Sequence, residues 1–472
     1  PIESYVLNQC AGKAGLKGDN GKRLPNHEVS SALSFLQSKK MVGCSGYGQG
    51  CFVLPPFNRI AIRDARTMGT YTRLVEVVKD AQRSGYSYRK TSETDLLGRD
   101  AWYACFEKRF DDLDQLLDRY HKACKGSYLS NPLVALFLVV PDLDEIGVLP
   151  GKIQADLLAS LIFEITHFCL NPVPLVPYAQ SSLANFPPEY QGGLREALAI
   201  RAIYQGQLEE AETWLEGQNS SAAVRIRAWI LFLRGKTEEA VAAYEQLIAA
   251  EVSGQKGRKR DFVLWNDLAG AHYPLALLTT GRKDHQARAE EMLKGMSKVK
   301  QAHPVSYLYV LLETLCKSRH GQEFDFDGLD NAELLDPVET VDCFFQYLPV
   351  FWAVPKRVQK DLAEETLDAQ RRFASCGYRW LELEMKILRL GASKQVDEEA
   401  ARAALADLGI QSLATRYKSI EPWERSLNAL TALYSSSAVA TQVDAPKPLR
   451  VAWRFEFDSY NPQLFNITPL EQ

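Results

Sequence analysis

Two glycines, Gly206 and Gly235, stand 29 positions apart in the same setting, and this constrains the chain more than any other feature. Ile203, Tyr204, Gly206, Glu209, Glu210, Ala211, Trp214 and Leu215 form one copy of a pattern. Leu233, Gly235, Glu238, Glu239, Ala240 and Tyr244 form the other. A glycine after an apolar helix can adopt the left-handed conformation that closes it. Paired acids then fall in the first turn of the next helix, beside its positive end. The small alanine lets the two helices approach closely. One such hairpin cannot bury its apolar face alone, so copies must stack. The pattern predicts a TPR-like α-solenoid over residues 191–434. A third copy is expected at Asn266–Met296, with Gly281 in its turn. Further helices are expected at His303–Lys317, Val338–Val354, Lys356–Gly377, Tyr378–Leu390, Glu398–Leu408 and Glu421–Tyr434.

Residues 1–66 read as a separate, winged-helix-like module. Ile2–Gln9 suggests a short helix and Gly12–Arg23 a loop. Asn26–Met41 is a helix with Val29, Leu33 and Leu36 on one face. The glycine-rich run Gly43–Phe52 follows as a wing, and the alternation Arg59–Arg63 suggests a flanking strand. The module holds nine cations against four anions, a balance of +5 on a chain whose net charge is −4. That asymmetry fits a surface facing nucleic acid on an otherwise acidic body. The same shape also serves protein contact in many small modules. Candidate DNA-contacting residues are Lys22, Arg23, Asn26, His27 and Ser30 at the helix start, Lys39 and Lys40 at its end, and Tyr47 and Gln49 at the wing tip. Lys256, Arg258, Lys259 and Arg260 form a basic run that reads either as a solvated insertion or as a second phosphate contact.

Residues 67–190 are expected to be helical. Tyr71–Ser84 is one helix. Trp102–Cys124 reads as a second, with Trp102, Cys105, Phe106, Phe110, Leu113, Leu116, Leu117 and Tyr120 at helical spacing. Asn131–Pro141 suggests a buried helix or strand, and Gln154–Cys169 another apolar helix. Asn171–Pro188 holds five prolines, which a helix interior does not tolerate, and predicts a linker or a rigid crossing segment without a helix. The final segment, 435–472, begins as a Ser/Ala/Pro-rich linker. It continues into a predicted strand, Leu449–Phe457, with a return strand at Leu464–Thr468. A lone terminal hairpin is marginal in water, so the polypeptide is expected to continue past Gln472. Pro1 in place of a start methionine suggests trimming at the front. The fold class expected is mainly α, with a short C-terminal β segment.

Composition and motifs narrow the function. The 472 residues are 46% hydrophobic, enough for sizeable cores. Nine cysteines without CxxC spacing suggest reduced thiols, and no apolar run reaches membrane-spanning length. With no basic-then-apolar leader either, the expected location is cytoplasmic. There is no GxxxxGK[ST] loop, no HExxH and no zinc spacing. Gly43-Cys44-Ser45-Gly46 misses the GxSxG elbow because Tyr47 occupies its last position. Ser297–Lys300 is a lone SxxK. Glu323, Asp325, Asp327 and Gly328 resemble the start of a calcium loop, but Leu334 stands where the closing acid belongs. Trp214, Trp229, Trp265, Trp352, Trp380 and Trp423 suit core packing, or a base-stacking groove if several line one face. No catalytic residue and no metal ligand is assigned.

Several segments resemble the N-terminal extensions of bacterial Swi/Snf-type helicase-like ATPases. They are the glycine-terminated helix Ala269–Gly281, the run Cys376-Gly377-Tyr378-Arg379-Trp380-Leu381, and Glu421-Pro422-Trp423-Glu424-Arg425-Ser426-Leu427. The tail Arg450–Arg454 through Ile467–Gln472 resembles the segment ahead of the ATPase core. The resemblance implies a parent protein that translocates on double-stranded DNA using ATP. ATP and magnesium would belong to a downstream motor, with no cofactor held in this chain. The function expected is a non-catalytic regulatory and interaction region that contacts DNA, a partner protein or that core. The alternative is a winged-helix and TPR-like transcriptional or signalling regulator binding DNA and a protein or ligand.

Overall fold

A computed structural model of the chain describes residues 2–3, 10, 13–15, 17, 22, 25–39, 42–44, 50–53, 55–83, 93–124, 131–138, 141–167, 174–253, 265, 268–280, 282–297, 371, 373–382, 452–457 and 465–470. Those residues are mainly helical. The expected helices within 301–370 and 391–434, the acidic loop at Glu323–Gly328 and the linker 435–448 lie outside them. Two compact units divide the chain: Pro1–Ile153 with Pro446–Gln472, and Gln154–Ala445.

The first unit opens with a small antiparallel sheet. Strands β1 (Ile2–Glu3), β2 (Val42–Cys44) and β3 (Gly50–Val53) lie in the order β1-β3-β2. Ile2 pairs with Cys51 and Glu3 with Gly50, so these two residues are strand rather than part of the helix expected over Ile2–Gln9; residues 4–9 lie outside the described ones. Helix α1 (Asn26–Ser38) leads into β2. Helix α2 (Pro55–Thr67) follows β3 and corrects the strand expected at Arg59–Arg63. The alternation there covers only five residues. Pro55 and Pro56 preset helical φ at the first turn, and Ile62 and Ala65 take the half-buried positions at a helical interval. Helix α3 (Tyr71–Arg83) comes next.

The stretch expected as one helix from Trp102 is two, α4 (Glu93–Phe106) and α5 (Phe110–Ala123). Lys108 breaks it with φ 56°. Its N–H bonds the Cys105 carbonyl at 3.1 Å and the Arg109 N–H bonds that of Ala104 at 2.9 Å. This crossed pair is the Schellman closure of a helix end, made here without glycine. Leu97, Ala101 and Ala104 of α4 and Leu113, Leu117 and Tyr120 of α5 are buried. Trp102 donates its indole N–H to the Pro132 carbonyl at 2.7 Å. Short helices α6 (Val134–Phe137) and α7 (Leu143–Gly147) precede α8 (Gly151–His167), with Asp142 capping α7 through the Glu145 N–H at 3.1 Å. Strands β4 (Ala452–Phe457) and β5 (Phe465–Leu470) form an antiparallel pair, with Trp453 opposite Pro469.

In the second unit the proline-rich segment contains a helix, α9 (Leu175–Ser182), which corrects the expectation of a linker or crossing segment without one. Pro177 falls in its first turn, where a backbone N–H has no partner inside the helix and its loss costs little. Helices α10 (Pro188–Tyr204) and α11 (Leu208–Leu215) form one hairpin, and α12 (Ser221–Leu233) and α13 (Thr237–Ser253) the next. Helices α14 (Leu268–Thr279) and α15 (Lys283–Ser297) form a third. Within each hairpin the two helices pack together, and the first helices, α10, α12 and α14, pack in succession. Gly206 and Gly235 have φ of 79° and 76°. Each sits in the crossed closure: Gly206 N–H to Ile203 and Gln207 N–H to Ala202, then Gly235 N–H to Phe232 and Lys236 N–H to Leu231. Ala211 and Ala240 are both fully buried.

Residues 373–382 come back to this core. Gly377 has φ 70° and closes a short helix as the repeat glycines do, with the Tyr378 N–H bonding the Phe373 carbonyl at 2.9 Å. The Tyr204 ring lies 6.2 Å from Trp229, 5.6 Å from Tyr378 and 6.0 Å from Trp380 between centroids. His272 packs 4.9 Å from Trp229 and 6.1 Å from Trp380. All five rings are fully buried. Arg201, also buried, donates to the Tyr378 hydroxyl at 3.0 Å with its guanidinium 5.5 Å from the ring centre.

Candidate nucleic-acid interface

Helix α1 is placed by the sheet that follows it. The Pro25 carbonyl accepts from the N–H groups of Glu28 at 3.0 Å and Val29 at 3.3 Å, which starts the helix. At the other end the Lys39 N–H bonds the Phe35 carbonyl at 3.0 Å, and the Ser38 hydroxyl bonds it at 2.7 Å. By Val42 the chain is already in β2. The helix rests on β2, with Val29, Leu33 and Leu36 half-buried.

The opposite face is open. His27, Ser30, Ser31, Ser34, Phe35, Ser38 and Lys39 are exposed. At 3.6 residues per turn His27, Ser31, Ser34 and Ser38 form one stripe, with Ser30 and Phe35 on its flanks. Three of the four side chains on the stripe are short serines, and none is an acid. Glu28, half-buried in the first turn, is the only acid on the helix. Phe35 is 59% exposed, and the Lys39 ammonium sits 5.6 Å above its ring. Hydroxyls and backbone-proximal donors of this kind are what phosphate and sugar contacts use, and an acid-free face lets an anionic strand approach.

Of the residues expected here from sequence, the structure places His27, Ser30 and Lys39 on the exposed part of α1, Asn26 at its first position and Lys22 exposed ahead of it. Lys39 stands about 18 Å along the axis from His27 at 1.5 Å per residue, so the two lie at opposite ends of α1. Arg23, Lys40, Tyr47, Gln49, Lys256, Arg258, Lys259 and Arg260 lie outside the described residues. Sequence reasoning missed Ser31, Ser34, Phe35 and Ser38. The signal was present in the run Ser30-Ser31-Ala32-Leu33-Ser34-Phe35, where the hydroxyls repeat at helical spacing off the apolar stripe.

Base stacking on the tryptophans is not open to the three described ones in the core. Trp229 and Trp380 are fully buried and Trp265 is 6% exposed, with its indole N–H 3.1 Å from Glu251 Oε2. Trp214 is half-buried and bonds Glu210 at 3.2 Å. Trp352 and Trp423 lie outside the described residues. Among the described residues no helix is long and apolar enough to cross a membrane. No protein-family profile, curated protein or solved structure matches the chain.

Proposed function

We propose that this chain is a non-catalytic DNA-contacting and interaction region of a bacterial Swi/Snf-type DNA-dependent ATPase. In this reading residues 1–66 are a winged-helix-like module and α1 is its DNA-facing helix. The hairpins from α10 onward are a TPR-like α-solenoid that docks a partner protein or the motor core. ATP and magnesium belong to that motor, and no residue of this chain is assigned to them. The observation that carries the reading is the exposed, acid-free face of α1, held by a β1-β3-β2 sheet in a segment whose balance is +5.

Anisotropy of a labelled duplex titrated with the full chain tests it. Binding is expected to weaken steeply with salt, because each neutralised phosphate releases counterions. Replacing Lys22 and Arg23 by Ala should lower affinity and reduce the log–log salt slope by about one for each phosphate no longer neutralised. Absence of duplex binding at low salt, or an unchanged slope in the variant, overturns the assignment. The motor reading is tested by the reading frame after Gln472, where an unrelated domain would sink it.

A further inference from the structure

The sheet that positions α1 brings two cysteines together. In the β2–β3 ladder Val42 pairs with Val53, Gly43 with Phe52 and Cys44 with Cys51. Cys44 lies at the end of β2, Cys51 is the second residue of β3, and six residues separate them in sequence. Directly opposed residues of an antiparallel pair share one face of the sheet. Their Cα atoms are about 4.5 to 5.5 Å apart, whichever of the two alternating pair types they occupy. A disulfide needs Cα atoms about 4.4 to 6.8 Å apart, and the spacing of a directly opposed pair falls within that range. Sequence spacing hides the pair, since it matches no CxxC motif; the register reveals it.

We propose that Cys44 and Cys51 form a reversible disulfide that locks the β2–β3 register in response to a small-molecule disulfide such as oxidised glutathione. One thiol, as its thiolate, attacks the glutathione disulfide and releases one reduced glutathione. The second cysteine's thiolate attacks the protein-bound sulfur and displaces the other. Two protein thiols lose their hydrogens, one S–S bond forms in the protein, and the glutathione disulfide is reduced to two thiols. Cys51 lies in the central strand, paired with β1 as well as β2, so the bond ties an edge strand to the middle of the sheet. Cys10, Cys124 and Cys376 are buried thiols elsewhere in the chain, and Cys105, half-buried, serves as an internal comparison.

The test uses the full chain, equilibrated with oxidised glutathione, blocked with N-ethylmaleimide and digested with trypsin. No Lys or Arg occurs between Cys44 and Cys51, so both fall in the peptide Met41–Arg59. That peptide is expected to be lighter by two hydrogens, unlabelled, and restored by dithiothreitol. Cys44→Ser and Cys51→Ser should each retain glutathione on the remaining cysteine, because no resolving thiol is present. Wild-type chain that carries stable glutathione on Cys44 or Cys51, or maleimide on both after oxidation, overturns the proposal. The locking role is read separately by thermal unfolding. The oxidised wild type should melt higher than the reduced form, with no such difference in the two Ser variants; an equal midpoint overturns that role.

Discussion

Lys108 shows what one backbone conformation does to a reading of sequence. Its φ of 56° is the left-handed value that glycine supplies at Gly69, Gly206, Gly235 and Gly377. All five close a helix with the same crossed hydrogen bonds. A lysine adopts this conformation at a steric cost that glycine avoids. Lys108→Gly is therefore expected to stabilise the first unit by about 0.5 kcal/mol, the steric relief being partly offset by the freer unfolded chain. Gly235→Ala is the converse, expected to cost about 1 kcal/mol or more because a methyl group is forced into positive φ. Urea unfolding of the two variants checks both signs. A charged pair makes a pH-dependent prediction. The Arg282 guanidinium, 2.6 Å from Asp284, holds that carboxyl at about 2. A depressed carboxylate contributes above its unfolded pKa and loses the contribution as pH falls through the folded one. Asp284 should thus remain ionised at pH 3, where an NMR titration of Arg282→Ala should find its carboxyl largely protonated.

Helices in this chain are ended and begun by identifiable groups. Ser220 caps α12 by accepting from the Ala223 N–H at 3.0 Å, and its own hydroxyl donates to Glu196. Ser220→Ala should cost about 1 kcal/mol in the second unit, measured by denaturant unfolding. The end of α11 is closed by Arg227, which donates to the carbonyls of Leu215 at 3.0 Å and Gln218 at 2.6 Å. Charged links join successive hairpins. Arg234 grips Glu212 with two bonds of 2.8 Å and reaches Glu209 at 3.0 Å; Arg282 lies 3.8 Å from Glu238, the counterpart of Glu209. The glutamates of these pairs are exposed, so each pair contributes little energy. Prolines follow position in the same way. Pro177 is tolerated in the first turn of α9, whereas Pro274 lies inside α14 and removes an interior donor. One turn earlier in α14, the Tyr244 hydroxyl of the neighbouring hairpin donates to the Ala269 carbonyl at 2.5 Å.

The second unit is joined by residues remote in sequence. Tyr378 stands 177 positions from Arg201, yet their side chains share a hydrogen bond inside the core. Removing its hydroxyl leaves a buried cation without that acceptor, so Tyr378→Phe should cost about 1 to 3 kcal/mol. Trp380→Ala opens a large void among Tyr204, Trp229 and His272 and should cost about 3 to 5 kcal/mol, read by thermal unfolding of the full chain. The repeat hairpins were legible because glycine, paired acids and a small crossing residue each leave a mark within ten residues. The α4–α5 turn was not, because Lys108 makes the same closure without glycine. Half of the α1 face was legible as cations and polar residues at a helix start. The serine stripe and Phe35 became part of it only when the partial burial of Val29, Leu33 and Leu36 showed which side stays open. Local chemistry alone thus settled the helical class, the glycine turns and the basic N-terminal segment, since propensity and φ are properties of neighbouring residues. Ladder register and burial depend on which distant segments meet. Only tertiary structure could make Ile2–Glu3 a strand, turn the Arg59–Arg63 alternation into a helix, set Cys44 opposite Cys51, and return Tyr378 and Trp380 to the core of the repeats.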